Sequence, residues 1–211
     1  MPTLATLLTL ADSRLPTGSH VHSGGVEEAV TSGLVTNLET LNAFLRRRIR
    51  SHGLVTASIA AAVHRGDLCP DAADRETDAR TPAPAARQAS RSQGRGLARL
   101  ARRVWPEAGW DEIGRQPHLS VAAGRVGAVS GLSPEQSALA IVYTTMTGSA
   151  TAAQRLLALD PADVAALTFG LADVCEHTAA EAAVGLADLS DPLLDTLAQR
   201  HAERERPLFV S

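Results

Sequence analysis

The sequence predicts an all-α fold, arranged as a single compact domain of about eight to ten helices. Alanine and leucine, which are the strongest helix formers, dominate the 211-residue chain. Valine and isoleucine rarely alternate with polar residues, and no Asn-Gly or Asp-Gly pair marks a hairpin turn. With a hydrophobic share of 45%, one domain over residues 1–211 can bury a core.

Start and stop signals divide the chain into individual helices. Thr36, with Glu39 three residues later, reads as a capping box, and Gly53 is expected to end the helix behind it. The near-uniform apolarity of residues 54–65 predicts a central helix. Three further starts, at Ser133, Asp160 and Asp191, put a capping side chain directly before a proline. The predicted helices are 4–11, 26–33, 36–52, 54–65, a short one within 67–88, then 85–104, 120–129, 134–158, 160–184 and one from 192 onward.

Composition and charge exclude several classes of protein. All 20 basic residues are arginine, so the chain by itself lacks the lysine that a P-loop, a protein kinase or a pyridoxal enzyme requires. A net charge of -3 gives no basic surplus for nucleic acid or a membrane surface. No apolar run reaches membrane-spanning length, and two cysteines are too few for a disulfide framework. A cytoplasmic location is expected.

Histidine clusters are the candidates for metal chemistry. His20 and His22 lie in a glycine-rich loop over residues 12–25, close to Glu27, and such a set could hold nickel or zinc. The same loop could instead satisfy its own backbone and the next helix start. A metal-dependent hydrolase using His20, His22 and Glu27 is therefore one alternative function, and a helical scaffold without a metal role is another.

A second cluster surrounds His177. Asp173, His177 and Glu181 are spaced four apart and share one helix face, with Cys175 beside them. This spacing fits a metal site, but a polar stripe is the favoured interpretation.

Two surfaces suggest binding to other proteins. Arginines at 87, 91, 95, 99, 102 and 103 form a basic helix side, either solvated or able to dock an acidic protein. The end of the chain, about 203–211, carries Leu208 and Phe209 beyond the last helix. We expect this tail to be flexible and to order against a partner.

Several segments together resemble one family. LADSRLPTGSHVHSGGVEEAV is similar to the N-terminal signature of the urease accessory protein UreF family, L-x-D-S-x-x-P-x-G followed by an aromatic residue and H-S-x-G-L-E. RQASRSQGRGLARLA, HLSVAAGRVGAVSGL and PLLDTLAQRH followed by LF-x-S resemble its later motifs. The chain departs from the pattern at His20, which takes the aromatic position, in the segment LALDPADVAAL after Arg155-Leu156, and in the tail at Arg204, Glu205 and Pro207.

The resemblance implies an all-α homodimer that is not an enzyme. Members of the family bridge a nickel-carrying GTPase accessory protein, UreG, and a second accessory protein, UreD or UreH, that sits on apo-urease. The assembly delivers nickel to the carbamylated urease active site when GTP is hydrolysed. The nickel is thus handled by the complex, and no stably bound cofactor is expected in this chain.

The matching positions define two expected binding surfaces. The loop and the helix start after it should be presented to the GTPase, through Pro16, Gly18, His22, Ser23, Gly25 and Glu27. The end of the chain should contact the second accessory protein, through Arg200, His201, Leu208 and Phe209. Glycines allow close backbone approach in the first surface, and Glu27 could meet a basic residue of the partner.

Overall fold

A computed structural model describes residues 4–12, 15–17, 22–205 and 207–209. The regular elements in these ranges are helices, which confirms the all-α class. The α-helices are α1 (Leu4–Leu10), α2 (Val26–Thr31), α3 (Leu38–Arg48), α4 (Leu54–Arg65), α5 (Pro70–Ala79), α6 (Pro84–Val104), α7 (Leu119–Val129), α8 (Pro134–Leu157), α9 (Pro161–Phe169), α10 (Ala172–Val184) and α11 (Pro192–Ala202).

Helix α4 is the centre of the fold, as its apolar sequence predicts. Every residue from Leu54 to Val63 is buried. The predicted stop before it is wrong, because a π-helical turn, Ile49–Gly53, joins α3 to α4 without a break. Gly53 itself has helical backbone angles (φ -60°, ψ -51°). A glycine in a helix costs only about 1 kcal/mol relative to alanine, and packing on both sides outweighs that cost.

The capping side chains agree with the sequence, with one shift in register. Helix α3 is capped by Asn37 and its reciprocal partner Thr40, one residue later than the predicted pair of Thr36 and Glu39. At α8 the predicted capping box is confirmed: Gln136 N–H donates to Ser133 Oγ at 3.0 Å, and Ser133 N–H donates to Gln136 Oε1 at 2.9 Å. The carboxylates that precede α9 and α11 likewise accept backbone N–H groups of the first turn.

The predicted helix over 160–184 is divided in two. The break falls at Gly170 and Leu171, between α9 and α10. Leu171 leaves helical geometry (φ -101°, ψ 0°) and is 1% exposed. Burial of this leucine and the low helix propensity of the glycine before it both favour the bend.

Two groups of buried apolar residues form the core. The larger joins α4 with α2, α3, α8, α9, α10 and α11, and the smaller joins α4 with α5, α6 and α7. Small residues let the helices approach: a Cβ on Gly124 of α7 would overlap the carbonyl oxygen of Ala60 in α4. The glycine is required there because the two backbones are in contact. Among the described helices, none is both long and apolar enough to cross a bilayer.

Candidate functional site

The part of the glycine-rich loop that the structure describes directly before α2 is a tight turn. Gly24 and Gly25 both have positive φ, 62° and 86° respectively, and Gly25 is the N-cap of α2. This backbone conformation is strained for residues that carry a Cβ. A Cβ on Gly24 would overlap the guanidinium of Arg48. The turn therefore favours glycine for its dihedral angles, and a side chain at Gly24 would also force the Arg48 guanidinium to shift.

Glu27, in the first turn of α2, is the centre of a buried hydrogen-bond cluster. Its carboxylate is 2% exposed, and Oε2 accepts a hydrogen bond from His201 Nε2 at 2.7 Å. The same carboxylate accepts the backbone N–H of Leu208 at 2.8 Å and of Phe209 at 3.0 Å. One side chain near the start of the sequence thus holds both α11 and the segment that follows it.

The charge of Glu27 is stabilised by these donors. Burial by itself raises the pKa of the Glu27 carboxyl. The hydrogen bonds from Leu208, His201 and Phe209 outweigh burial, and the pKa ends below its ordinary value. The carboxylate is consequently ionised at neutral pH and accepts charge-assisted hydrogen bonds.

A second contact fixes the same segment. Arg204 Nη1 donates to Glu28 Oε2 at 2.9 Å, so adjacent carboxylates of α2 hold two points of the chain end. We use the name tail clamp for the cluster formed by Glu27, Glu28, His201 and the described residues of 204–209. Arg204 departs from the family pattern, and this ion pair gives it a structural role.

Within the tail clamp, the two apolar side chains differ. Phe209 is half-buried and packs against the larger core group. Leu208 is 79% exposed although its backbone N–H is bound to Glu27. The clamp therefore presents an apolar side chain to solvent on a backbone that is held by Glu27.

Several residues predicted to face the GTPase are instead buried. His22, Ser23 and Glu27 are 8%, 0% and 2% exposed, so the Glu27 side chain does not lie at the surface, while binding of this region to the GTPase stays a prediction. The physical reason is tertiary: Ser149 Oγ donates to the Ser23 carbonyl at 3.2 Å, while α11 covers Glu27. Pro16 is exposed, whereas Gly18 and His20 lie outside the described residues.

The residues predicted for the second accessory protein have mixed environments. Arg200 is exposed on α11, but His201 is 1% exposed and is committed to Glu27. The structure thus brings Glu27, His201, Leu208 and Phe209 into one site. From the sequence, Glu27 is expected on one surface and the other three residues on another.

The candidate metal clusters do not assemble a ligand set in the described ranges. No group of three or more histidine, cysteine or acidic residues there could hold a metal ion. His177 Nδ1 donates to the carbonyl of Asp173 at 2.7 Å, and Cys175 is buried beside Met146. Glu27, needed by the hydrolase hypothesis, has its carboxylate occupied by the tail clamp.

Residues of the two middle sequence motifs, 87–101 and 118–132, also contact each other. His118 is fully buried between Ser90 Oγ, at 3.0 Å from Nδ1, and Asp78 Oδ1, at 2.9 Å from Nε2. Arg91 bridges Asp74 at 2.6 Å and Asp78 at 2.9 Å. A Cβ on Gly94 would overlap the carbonyl oxygen of Pro117. These contacts lock α5, α6 and α7 together, and so part of the arginine side of α6 is structural.

Comparison with known proteins gives the family. The UreF family model matches residues 35–172, well over half of the chain. The chain belongs to the UreF family. It is 81% identical to the urease accessory protein UreF of Mycobacterium marinum (strain ATCC BAA-535 / M), over 100% of both chains. It is 77% and 75% identical to proteins of the same name from Mycobacterium sp. (strain JLS) and Mycobacterium bovis (strain BCG / Pasteur 1173P2), again over 100% of each chain.

The relatives extend the likeness beyond the matched segment. The glycine turn and the tail clamp of this UreF-family chain lie outside residues 35–172, yet the full-length relatives cover both. The N- and C-terminal motifs quoted above thus agree with the family assignment.

One group of residues in the structure is not predicted by any pattern in the sequence. Arg48, His52 and Asp191 surround a cavity beside Gly24. Arg48 belongs to the run Arg46, Arg47 and Arg48, in which the pattern of α3 gives no reason to single out one arginine. Only the tertiary position of Gly24, against its guanidinium, distinguishes it.

Proposed function

We propose that this UreF-family chain acts in urease maturation as a non-catalytic bridge between two accessory proteins. One partner is the nickel-carrying GTPase, UreG, and the other is the UreD or UreH protein that sits on apo-urease. Nickel is the cargo of this assembly and not a resident cofactor of the chain. The chain functions as a homodimer, and neither nucleic acid nor a membrane is part of the assembly.

The observation that carries the proposal is the tail clamp. The glycine turn and the chain end are the two segments that the family resemblance relates to the two partners. Glu27 connects them through His201, Leu208 and Phe209. A bridge must hold two binding surfaces in a fixed relation, and a buried charge-assisted cluster provides such a connection.

We assign Leu208 as an exposed contact for the second accessory protein. It is 79% exposed, and its backbone is held by Glu27, so little conformational entropy is lost when the side chain is covered. In this role Glu27 and His201 position the contact from within the chain. Arg200, exposed on α11, adds a charged group to the same surface.

The test is co-expression of the chain with both accessory proteins, followed by size exclusion with light scattering. The proposal predicts a complex that contains two copies of the chain and both partners. Leu208→Ser should weaken binding of the UreD or UreH protein at least tenfold with no change in thermal stability. Val104→Ser is the matched control, since Val104 is 52% exposed on α6. A chain that elutes alone in the presence of both partners contradicts the bridge.

A further inference from the structure

A cavity of about 120 Å³, lined by both apolar and charged side chains, lies beside the glycine turn. The π-helical turn between α3 and α4 forms one wall, and residues of α8 and α11 form others. One water needs roughly 10–15 Å³ on this kind of measure, so the cavity has room for several waters or a small polyatomic ion. Such π-helical turns are frequent at functional sites.

Arg48 is the unusual group in its wall. The guanidinium lies against the backbone of Gly24, and Nε is buried without a hydrogen-bond partner among the described residues. Among the described residues, no carboxylate lies within ion-pair distance of the Arg48 guanidinium. Burying an unpaired charge costs several kcal/mol, and a guanidinium carries five N–H donors that require acceptors.

The nearest acidic group does not fill this need. The Asp191 carboxylate accepts hydrogen bonds from Arg47 Nε and Nη2, both at 2.7 Å, and from Ser51 Oγ at 3.0 Å. It also accepts the N–H groups of Leu193 and Leu194 as the cap of α11. Its acceptor capacity is therefore used by other donors, although its charge still favours the protonated form of Arg48.

The other arginine and the other carboxyl group of the wall also have partners. Arg80 pairs with Glu76 and donates to the carbonyl of Ala187 at 2.8 Å. Burial raises the pKa of Asp195, which accepts the N–H of Ala83 at 3.2 Å. Burial lowers the pKa of His52 to about 3, with help from the charge of Arg48, so this ring is neutral at pH 7.

Arg48 itself remains a cation. Burial lowers its pKa to about 10, which still leaves the guanidinium protonated at neutral pH. The cavity thus has a positive charge with free donors and a neutral imidazole beside it, next to hydroxyl groups of Ser51 and Thr145. Guanidinium groups bind planar or tetrahedral oxyanions through two parallel hydrogen bonds.

We propose that this cavity binds one small oxyanion per chain, of the phosphate or bicarbonate class, with Arg48 as the charged anchor. The proposal does not depend on the bridging function. Gly24 is required by this site as well as by the turn, because any side chain there would displace the guanidinium.

Isothermal titration calorimetry on the full-length chain tests the site. Sodium phosphate and sodium bicarbonate are titrated separately at constant ionic strength, with sodium chloride as the control salt. We expect saturable binding of at least one oxyanion, with one site per chain. Arg48→Gln should weaken it at least tenfold, whereas Arg50→Gln, an equal change of charge at an exposed position, should retain the affinity of the parent chain.

A second variant tests the cavity without removing the charge. Gly148 lines the cavity, and a Cβ there would meet no heavy atom within 4 Å. Gly148→Leu should fill the space, improve helix propensity and abolish binding, so it decides the question even if Arg48→Gln does not fold. Absence of saturable binding to both oxyanions overturns the proposal. Equal affinity in the parent, Arg48→Gln and Gly148→Leu chains also overturns it.

Discussion

Replacing Glu27 with alanine removes the acceptor at the centre of the tail clamp. Three donors lose their partner: His201 Nε2 at 2.7 Å, Leu208 N–H at 2.8 Å and Phe209 N–H at 3.0 Å. The two backbone groups belong to a segment that can move outward and bind water. His201 is 1% exposed, and its Nδ1 already lacks a partner among the described residues, so its ring is left with no hydrogen bond.

The expected loss of stability follows from these three donors. A hydrogen bond to a charged group contributes about 1.5–3 kcal/mol, and a stranded buried donor costs about 1–3 kcal/mol. Because water compensates the two tail N–H groups, we expect Glu27→Ala to lower the free energy of unfolding by about 3 kcal/mol. At about 2–4 °C per kcal/mol for a domain of this size, the melting temperature should fall by roughly 6–12 °C.

Two assays report this effect. Thermal unfolding followed by circular dichroism gives the change in melting temperature. Limited trypsin digestion followed by mass spectrometry gives the rate of cleavage after Arg204, which is protected by its pair with Glu28. We expect faster cleavage in Glu27→Ala, because release of residues 207–209 loosens the neighbouring ion pair.

The control is Glu181→Ala, since Glu181 is exposed on α10 and makes no ion pair in the described residues. It should change the melting temperature by less than about 2 °C, since surface substitutions cost about 0.5 kcal/mol or less. If Glu27→Ala melts at the same temperature as the parent and is cleaved at the same rate, the assigned role of the carboxylate is refuted.

Three further predictions concern acid, packing and the cap of α11. Because the pKa of Glu27 is lower in the folded chain than its ordinary 4.5, its contribution to stability is present above that value and lost as pH falls through the folded pKa. Denaturation midpoints measured from pH 7 to pH 3 should therefore fall more steeply for the parent than for Glu27→Gln. Gly94→Ala should destabilise the chain by about 2 kcal/mol or more in urea denaturation, because the new Cβ would overlap the Pro117 carbonyl. Gly148→Ala is the control: its Cβ has open space, so its free energy of unfolding should be unchanged or higher. Asp191→Ala should cost about 1–2 kcal/mol, mainly through loss of the cap of α11 and of the half-exposed pair with Arg47; no change in urea midpoint would show that the cap is dispensable.

Local signals in the sequence predict the helices well where a cap and a proline coincide. Ser133, Asp160 and Asp191 each cap the predicted helix, because their contacts lie within three residues. The helix stop predicted at Gly53 is wrong, because a glycine ends a helix only where packing does not hold the backbone on both sides. The bend at Gly170 within the predicted helix 160–184 is not expected from the sequence, because the burial of Leu171 that accompanies it depends on the assembled core.

The candidate site was harder to predict because its contacts are long-range. The family resemblance pointed to Glu27 and to the chain end, yet no spacing rule connects residues 27 and 201. Their contact exists only because α11 packs across α2. The sequence also does not single out Arg48 within a run of three arginines, since only the tertiary structure shows that its Nε is buried without a hydrogen-bond partner among the described residues.

The most direct test of the bridging account is the affinity of the chain for the UreD or UreH protein, measured with and without the tail clamp. The immobilised partner is titrated with the parent chain, Glu27→Ala and Glu181→Ala, each first shown to be folded by circular dichroism. The account predicts that Glu27→Ala binds at least tenfold more weakly, while Glu181→Ala matches the parent. Equal affinity of all three chains would contradict the account, because binding would then be independent of the clamp that connects the two segments.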